Sequence, residues 1–149
     1  MNTLAPIGWL AAVMTATVTP AVARDTEYTS LKFADVLAMP EAQQKLDPTI
    51  KLFFGDQVTP KVLTKFGKDT SSKKANGVGK DDEAACRWAA LSALMAFQAK
   101  AKFLGANAVV GITSSYNLRD LKSATDYECH AGALMAGVSF KATYVKVEE

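Results

Sequence analysis

The longest regular pattern in the chain runs from Ala84 to Leu104, where neither Gly nor Pro occurs and strong helix formers dominate. Asp81 or Asp82 can accept the free amide hydrogens at its start, and Asp81-Asp82-Glu83 complements the positive end of the helix dipole. Gly105 suits a left-handed cap at the other end. At about a hundred degrees per residue the segment carries two apolar stripes. Cys86, Ala90, Ala93, Leu94, Phe97, Ala101 and Leu104 make one, and Trp88, Leu91, Met95, Ala99 and Phe103 the other. A helix apolar on two sides is expected to be covered on both, the second by the N-terminal helices or by a second subunit.

Behind Gly105 the period changes to two, which is strand behaviour. Asn107 to Tyr116 sets Ala108, Val110 and Ile112 against Val109, Gly111 and Thr113. Asn117 to Ser123 reads as a polar connection. Thr125, Tyr127 and Cys129 then share a strand face opposite Asp126, Glu128 and His130, and the small residues of Ala131 to Gly137 suggest a bulge or tight bend. Val138, Phe140, Ala142 and Tyr144 alternate with Ser139, Lys141 and Thr143 in a last strand.

The N-terminal half is less regular. Arg24 to Thr29 is polar and expected to fray. Leu31, Ala34, Leu37 and Ala38 have the spacing of one helical face, and Pro40 suits the first turn of a second short helix, Glu41 to Leu46. Ile50 to Phe54 reads as a short buried strand closed by Gly55-Asp56. Thr59-Pro60 can start a helical turn from Lys61 to Phe66, and Gly67 to Lys80, rich in Lys, Ser, Asn and Gly, reads as a loop with room for a brief strand. The order predicts an α+β domain: one long helix packed on a small antiparallel sheet, with short N-terminal helices.

The first 23 residues, Met1 to Ala23, hold no charged side chain, and Ala21-Val22-Ala23 places small residues where a signal peptidase reads them. The stretch is read as an export signal, with a disordered start as the alternative. Its only positive charge comes from the amino terminus. Residues 24–149 are then a single exported domain, periplasmic or secreted. In an exported chain the two cysteines, Cys86 on the Ala-rich helix stripe and Cys129 on a strand face, are expected to form one disulfide if stripe and face pack together. The sharper alternative, a redox-active pair, usually has its cysteines close in sequence with one exposed thiolate.

A formal net charge of +2 argues against general nucleic-acid binding. The nearest approach to a basic patch, Lys61, Lys65, Lys68, Lys73, Lys74 and Lys80, is broken by Asp69 and followed by acids, and reads as a solvated loop. No stretch after Ala23 is apolar for long enough to span a bilayer. Gly77-Val78-Gly79-Lys80 resembles the end of a phosphate-binding loop, but Lys74 and Asp81 stand where that motif needs Gly and Ser or Thr, so no nucleotide is expected. His130, the only histidine, has no Gly-x-Ser-x-Gly elbow to serve, and no enzyme is expected. Asp126, Glu128 and His130 alternate on one strand face and are candidate ligands for a divalent metal, with a solvated face as the plainer reading. No other cofactor is implied.

Phe54-Gly55-Asp56-Gln57, Asn76-Gly77-Val78-Gly79-Lys80, Asp82-Glu83-Ala84-Ala85-Cys86, Leu91-Ser92-Ala93-Leu94, Gly105-Ala106-Asn107-Ala108-Val109-Val110 and Glu128-Cys129-His130-Ala131-Gly132 together resemble a family of small exported proteobacterial proteins. Those proteins often carry the label "excinuclease ATPase subunit", which this chain, without a nucleotide-binding loop or zinc-finger cysteines, does not support. More distantly, the helix followed by Gly-Ala-Asn-Ala-Val-Val is similar to the periplasmic domain of the Rcs envelope-stress sensor lipoprotein. It is also similar to small proteins named for heavy-metal binding that form β-rich oligomers. The sensor resemblance implies a disulfide-tied α+β sandwich with a protein-binding role in the envelope, here without the lipidation cysteine. Three functions stay open at this point: binding an envelope protein partner, binding a metal or small ligand, and self-assembly as a homo-oligomer.

Overall fold

From the amino terminus the chain forms β1 (Thr26–Lys32), α1 (Phe33–Leu37), α2 (Pro40–Lys45), β2 (Lys51–Phe54), β3 (Val62–Asn76), α3 (Asp82–Leu104), β4 (Ala108–Tyr116), β5 (Arg119–Leu121), β6 (Asp126–Ala131) and β7 (Met135–Val147). This computed structural model describes residues 16–20 and 23–149. Of the expected export signal, 1–23, residues 1–15 and 21–22 lie outside the described residues.

The sheet overturns the expected architecture. Among the described residues it has seven strands rather than a few, and it is mixed, because β2 lies parallel to β4. The molecule is a sheet with one long helix against it, not a helix resting on a small antiparallel sheet. Much of the difference is β3, which covers what reads in the sequence as a helical turn and a lysine-rich loop. It pairs with β7 from Val62↔Val147 to Asn76↔Met135, with register shifts near Leu63 and Phe66. Almost all its side chains are exposed, so apolar alternation does not mark it. Its other side pairs with no strand among the described residues. The lysines therefore lie along a sheet edge, where charge discourages edge-to-edge association. Arg24 to Thr29 does not fray either. β1 pairs with β6, and its start is pinned by Arg24, which donates to Asp82 at 2.7 and 3.0 Å and to the Gly132 carbonyl at 2.6 Å.

The long helix forms as its sequence predicts. The Asp81 side chain accepts from the Ala84 amide at 2.7 Å, and Gly105 caps the far end at φ 79°. Its alanine-rich side is fully buried at Ala89, Ala90, Ala93 and Ala101, which lets the backbone lie close to β3 and β7. At this contact the Ser71 hydroxyl of β3 donates to the Ala93 carbonyl. Near the helix start Cys86 is bonded to Cys129 of β6, and both are fully buried. On the second side, buried Gln98 accepts from the Asp47 amide and donates to the carbonyls of Asp47 and Ile50. The α2–β2 link thus covers the border between the two sides; Leu91 is buried and Trp88 and Met95 half-buried, while Ala99 and Phe103 stay exposed.

Strand β7 organises the rest. β3 follows it along one edge; on the other, β6 pairs with its start at Ala136 and Gly137, and β4 with its later part from Phe140 to Val145. The sheet therefore forks into a β6–β1 branch and a β4–β2 branch. Within β4, Gly111 at φ 65° sits in a bulge that brings Val109 and Ile112 into the main core, so the strict alternation expected there breaks. Aromatic rings fill the fork from the helix side. Phe33 lies 4.3 Å from Phe54 of β2, 5.2 Å from Tyr127 of β6 and 5.4 Å from Phe140 of β7, centroid to centroid.

Tyr127 is fully buried, and its hydroxyl has no hydrogen-bond partner among the described residues. A buried hydroxyl without a partner carries a desolvation cost of about 1–3 kcal/mol, whereas the ring packing belongs to the carbons. Tyr127→Phe is accordingly expected to stabilise the fold by about 1 kcal/mol, read as a higher urea midpoint at unchanged slope. A loss of stability would mean that the hydroxyl does have a partner in solution.

Candidate functional site

The face of β6 turned away from the helix carries Asp126, Glu128 and His130, as its alternation requires once Tyr127 and Cys129 point into the core. The strand does not bring the three to one point. Residues two apart on a strand are separated by roughly 6.5 Å, and Asp126 and His130 by about twice that. Asp126 instead pairs with Lys32 of β1 at 2.6 Å. The residue that joins Glu128 and His130 is Glu27, which stands opposite His130 in the β1–β6 ladder. Each of Glu27, Glu128 and His130 offers a ligand atom, and these atoms lie within 4.8 Å of one another. No sequence pattern marks Glu27, because cross-strand partners depend on register, which no local pattern displays.

Glu128 and His130 are covered by the β4–β5 hairpin, which folds over this face. Tyr116, the last residue of β4, stacks its ring on the His130 imidazole at 3.8 Å and 11°. Arg119, the first residue of β5, donates to Glu128 Oε1 at 3.2 Å and to Glu27 Oε2 at 3.5 Å. The Ser114 hydroxyl accepts from the Glu128 amide. The Glu128 side chain keeps only 5% of its surface exposed and His130 10%, while Arg119 keeps 60%. His130 Nε2 lies 2.7 Å from Glu128 Oε1, and its Nδ1 3.1 Å from Asp25 Oδ1. Burial opposes a charge on the imidazole. The hydrogen bonds with Glu128 and Asp25 outweigh it, and the pKa is raised above the ordinary histidine value. The arrangement can hold a cation between carboxylates under a partial lid.

The hairpin also builds a surface feature of its own. Tyr116 pairs directly with Arg119, so the loop is the two residues Asn117 and Leu118, both left-handed at φ 48° and 63°. A primed turn of this kind matches the twist of the strands and favours Asn followed by Gly. Leu118 occupies the Gly position and is 96% exposed. Beneath it a groove of about 490 Å³ runs between the hairpin tip and the outer face of β7 and β3, bordered by Lys73, Lys74, Val138 and Ser139. At the other end of the fork Gly55 is held at φ 55°. A Cβ there would lie 2.7 Å from the Ala124 backbone nitrogen, so only glycine allows the β2 end to meet the link before β6.

No helix among the described residues is long and apolar enough to cross a membrane. Set against protein-family models, curated proteins and solved structures, the chain matches none.

Proposed function

We propose that this chain is an exported, non-enzymatic domain that binds an envelope protein partner through the tip of the β4–β5 hairpin and the groove beneath it. The observation that carries this reading is Leu118. A non-glycine residue in the left-handed region costs about 1–2 kcal/mol, and an almost wholly exposed leucine returns nothing to the free fold. Cost without compensation within the fold is what a contact residue would show. The groove adds chemistry to the tip: an apolar anchor beside the ammonium groups of Lys73 and Lys74 suits an acidic segment with an apolar side chain. The disulfide and the uncharged leader-like start support placing the domain outside the cytoplasm.

Two substitutions test this. Leu118→Gly is expected to stabilise the fold by about 1 kcal/mol by relieving the turn, and Leu118→Asp to leave it folded. Both are expected to abolish recovery of the partner that the unaltered protein captures by crosslinking in envelope extract. Equal recovery with Leu118→Asp, or no specific partner with any form, would sink the proposal.

A further inference from the structure

We propose that Glu27, Glu128 and His130 form a binding site for a zinc-type divalent ion, with Asp25 positioning the imidazole and Arg119 holding the place of the cation until the metal enters. The proposal stands apart from the hairpin tip and does not depend on it. One imidazole nitrogen and two carboxylate oxygens are a borderline donor set suited to zinc. Calcium takes six to eight oxygens, and magnesium requires near-octahedral oxygen coordination. The ligand atoms already lie within 4.8 Å of one another. Bonds of about 2.0–2.2 Å to one ion need them somewhat closer. Glu27 can supply that closure, because its side chain is 44% exposed and free to adjust.

The surroundings are those of a metal-bound histidine. Such a histidine almost always engages a carboxylate or carbonyl with its second nitrogen, which fixes the ring and turns the other nitrogen to the ion. Asp25 engages His130 Nδ1 in this way, and the Tyr116 stack fixes the ring plane. His130 Nε2 is thereby aimed at the two glutamates. Arg119 is the cation now bridging both carboxylates. Being largely exposed, it can withdraw into water when an ion of charge +2 takes over its electrostatic task. Binding therefore exchanges the contact of His130 Nε2 with Glu128 for a bond to the ion and frees Arg119 from both glutamates. Among the described residues the group offers three ligand atoms, which leaves a fourth position for water or an incoming ligand.

Arg119 makes the idea distinguishable from a purely structural ion network. If the cluster exists only to satisfy buried Glu128, removing Arg119 weakens the fold and creates no affinity. If Arg119 competes with a metal, removing it strengthens binding. Titration calorimetry of the disulfide-bonded protein with zinc chloride in chelator-treated buffer is expected to show one site. Affinity should rise about tenfold in Arg119→Ala and be lost in Glu27→Gln and His130→Ala, while Asp126→Asn leaves it unchanged. Glu27 is exposed enough that its variant keeps the fold, and thermal melts of each form verify this. Absence of heat in both the unaltered protein and Arg119→Ala would overturn the proposal. So would binding that survives Glu27→Gln and His130→Ala, or that Asp126→Asn removes.

Discussion

Replacing Cys86 and Cys129 together by alanine is expected to cost the domain roughly 4 kcal/mol. The bridge closes a loop across a sequence separation of 43 residues, and on the chain-entropy account a loop of that length restricts the unfolded ensemble by about this much. Both cysteines are fully buried, so the double variant also loses the packing of two sulfurs, and alanine avoids placing a new polar group there. The melting temperature should fall by on the order of 15 °C for a domain of this size. The effect has a structural reading as well. The bridge joins the first turns of α3 to β6, and β6 meets β7 in the ladder only at His130 and Ala131. Without the bridge, the β6–β1 branch of the fork keeps its two ladder pairs with β7, the aromatic cluster, the Arg24–Asp82 contact and the hairpin contacts of Ser114, Tyr116 and Arg119. It loses its covalent tie to the helix. Hydrogen exchange should therefore quicken more in β1 and β6 than in β3, β4 and β7. A double variant within 1 kcal/mol of the unaltered protein, or one that loosens all strands alike, would show that the bridge does not carry that branch.

The parts of this fold legible in the sequence are those whose causes are local. Helix α3 announces itself because its cap, its composition and its terminating glycine all lie within the segment. β6 and β7 do so because apolar and polar side chains alternate along them, and the cysteine pairing follows from setting the helix stripe against the apolar β6 face. Strand β3 is invisible for the opposite reason. Its helix-facing positions include Asp69, whose carboxylate accepts from the Tyr144 hydroxyl, and Ser71, which bonds a helix carbonyl. The inner face is polar, the outer face is solvated, and only the β7 ladder makes it a strand. The same gap explains the site. Glu128 and His130 were legible from alternation, but Glu27, Asp25 and Arg119 reach them through strand register and a hairpin fold. Asp126, equivalent to Glu128 by pattern, is drawn off by Lys32. The helical spacing read from Leu31, Ala34, Leu37 and Ala38 also missed the residues that matter in α1, which are Phe33 and Val36.

Phe33→Ala is expected to be nearly as damaging as loss of the disulfide, at about 4 kcal/mol. Truncating a buried phenylalanine typically costs 3–5 kcal/mol, and where a site falls in that range depends on how far its neighbours can close the cavity. Here they can close it little. Phe54, Tyr127 and Phe140 belong to three different strands, each held in place by its own ladder. The Phe33 amide donates to the Thr125 carbonyl at 2.9 Å, so the helix start cannot slide inward either. Because Phe33 is the ring that touches both branches of the fork, its loss should loosen β2 as well as β6, unlike the cysteine change. Phe33→Leu, which refills much of the volume, should recover more than half of the loss. Urea unfolding of the oxidised protein measures both variants. A cost below 1.5 kcal/mol for Phe33→Ala would mean that the fork closes without its aromatic plug, and that the two branches are held together mainly through β7 and the helix.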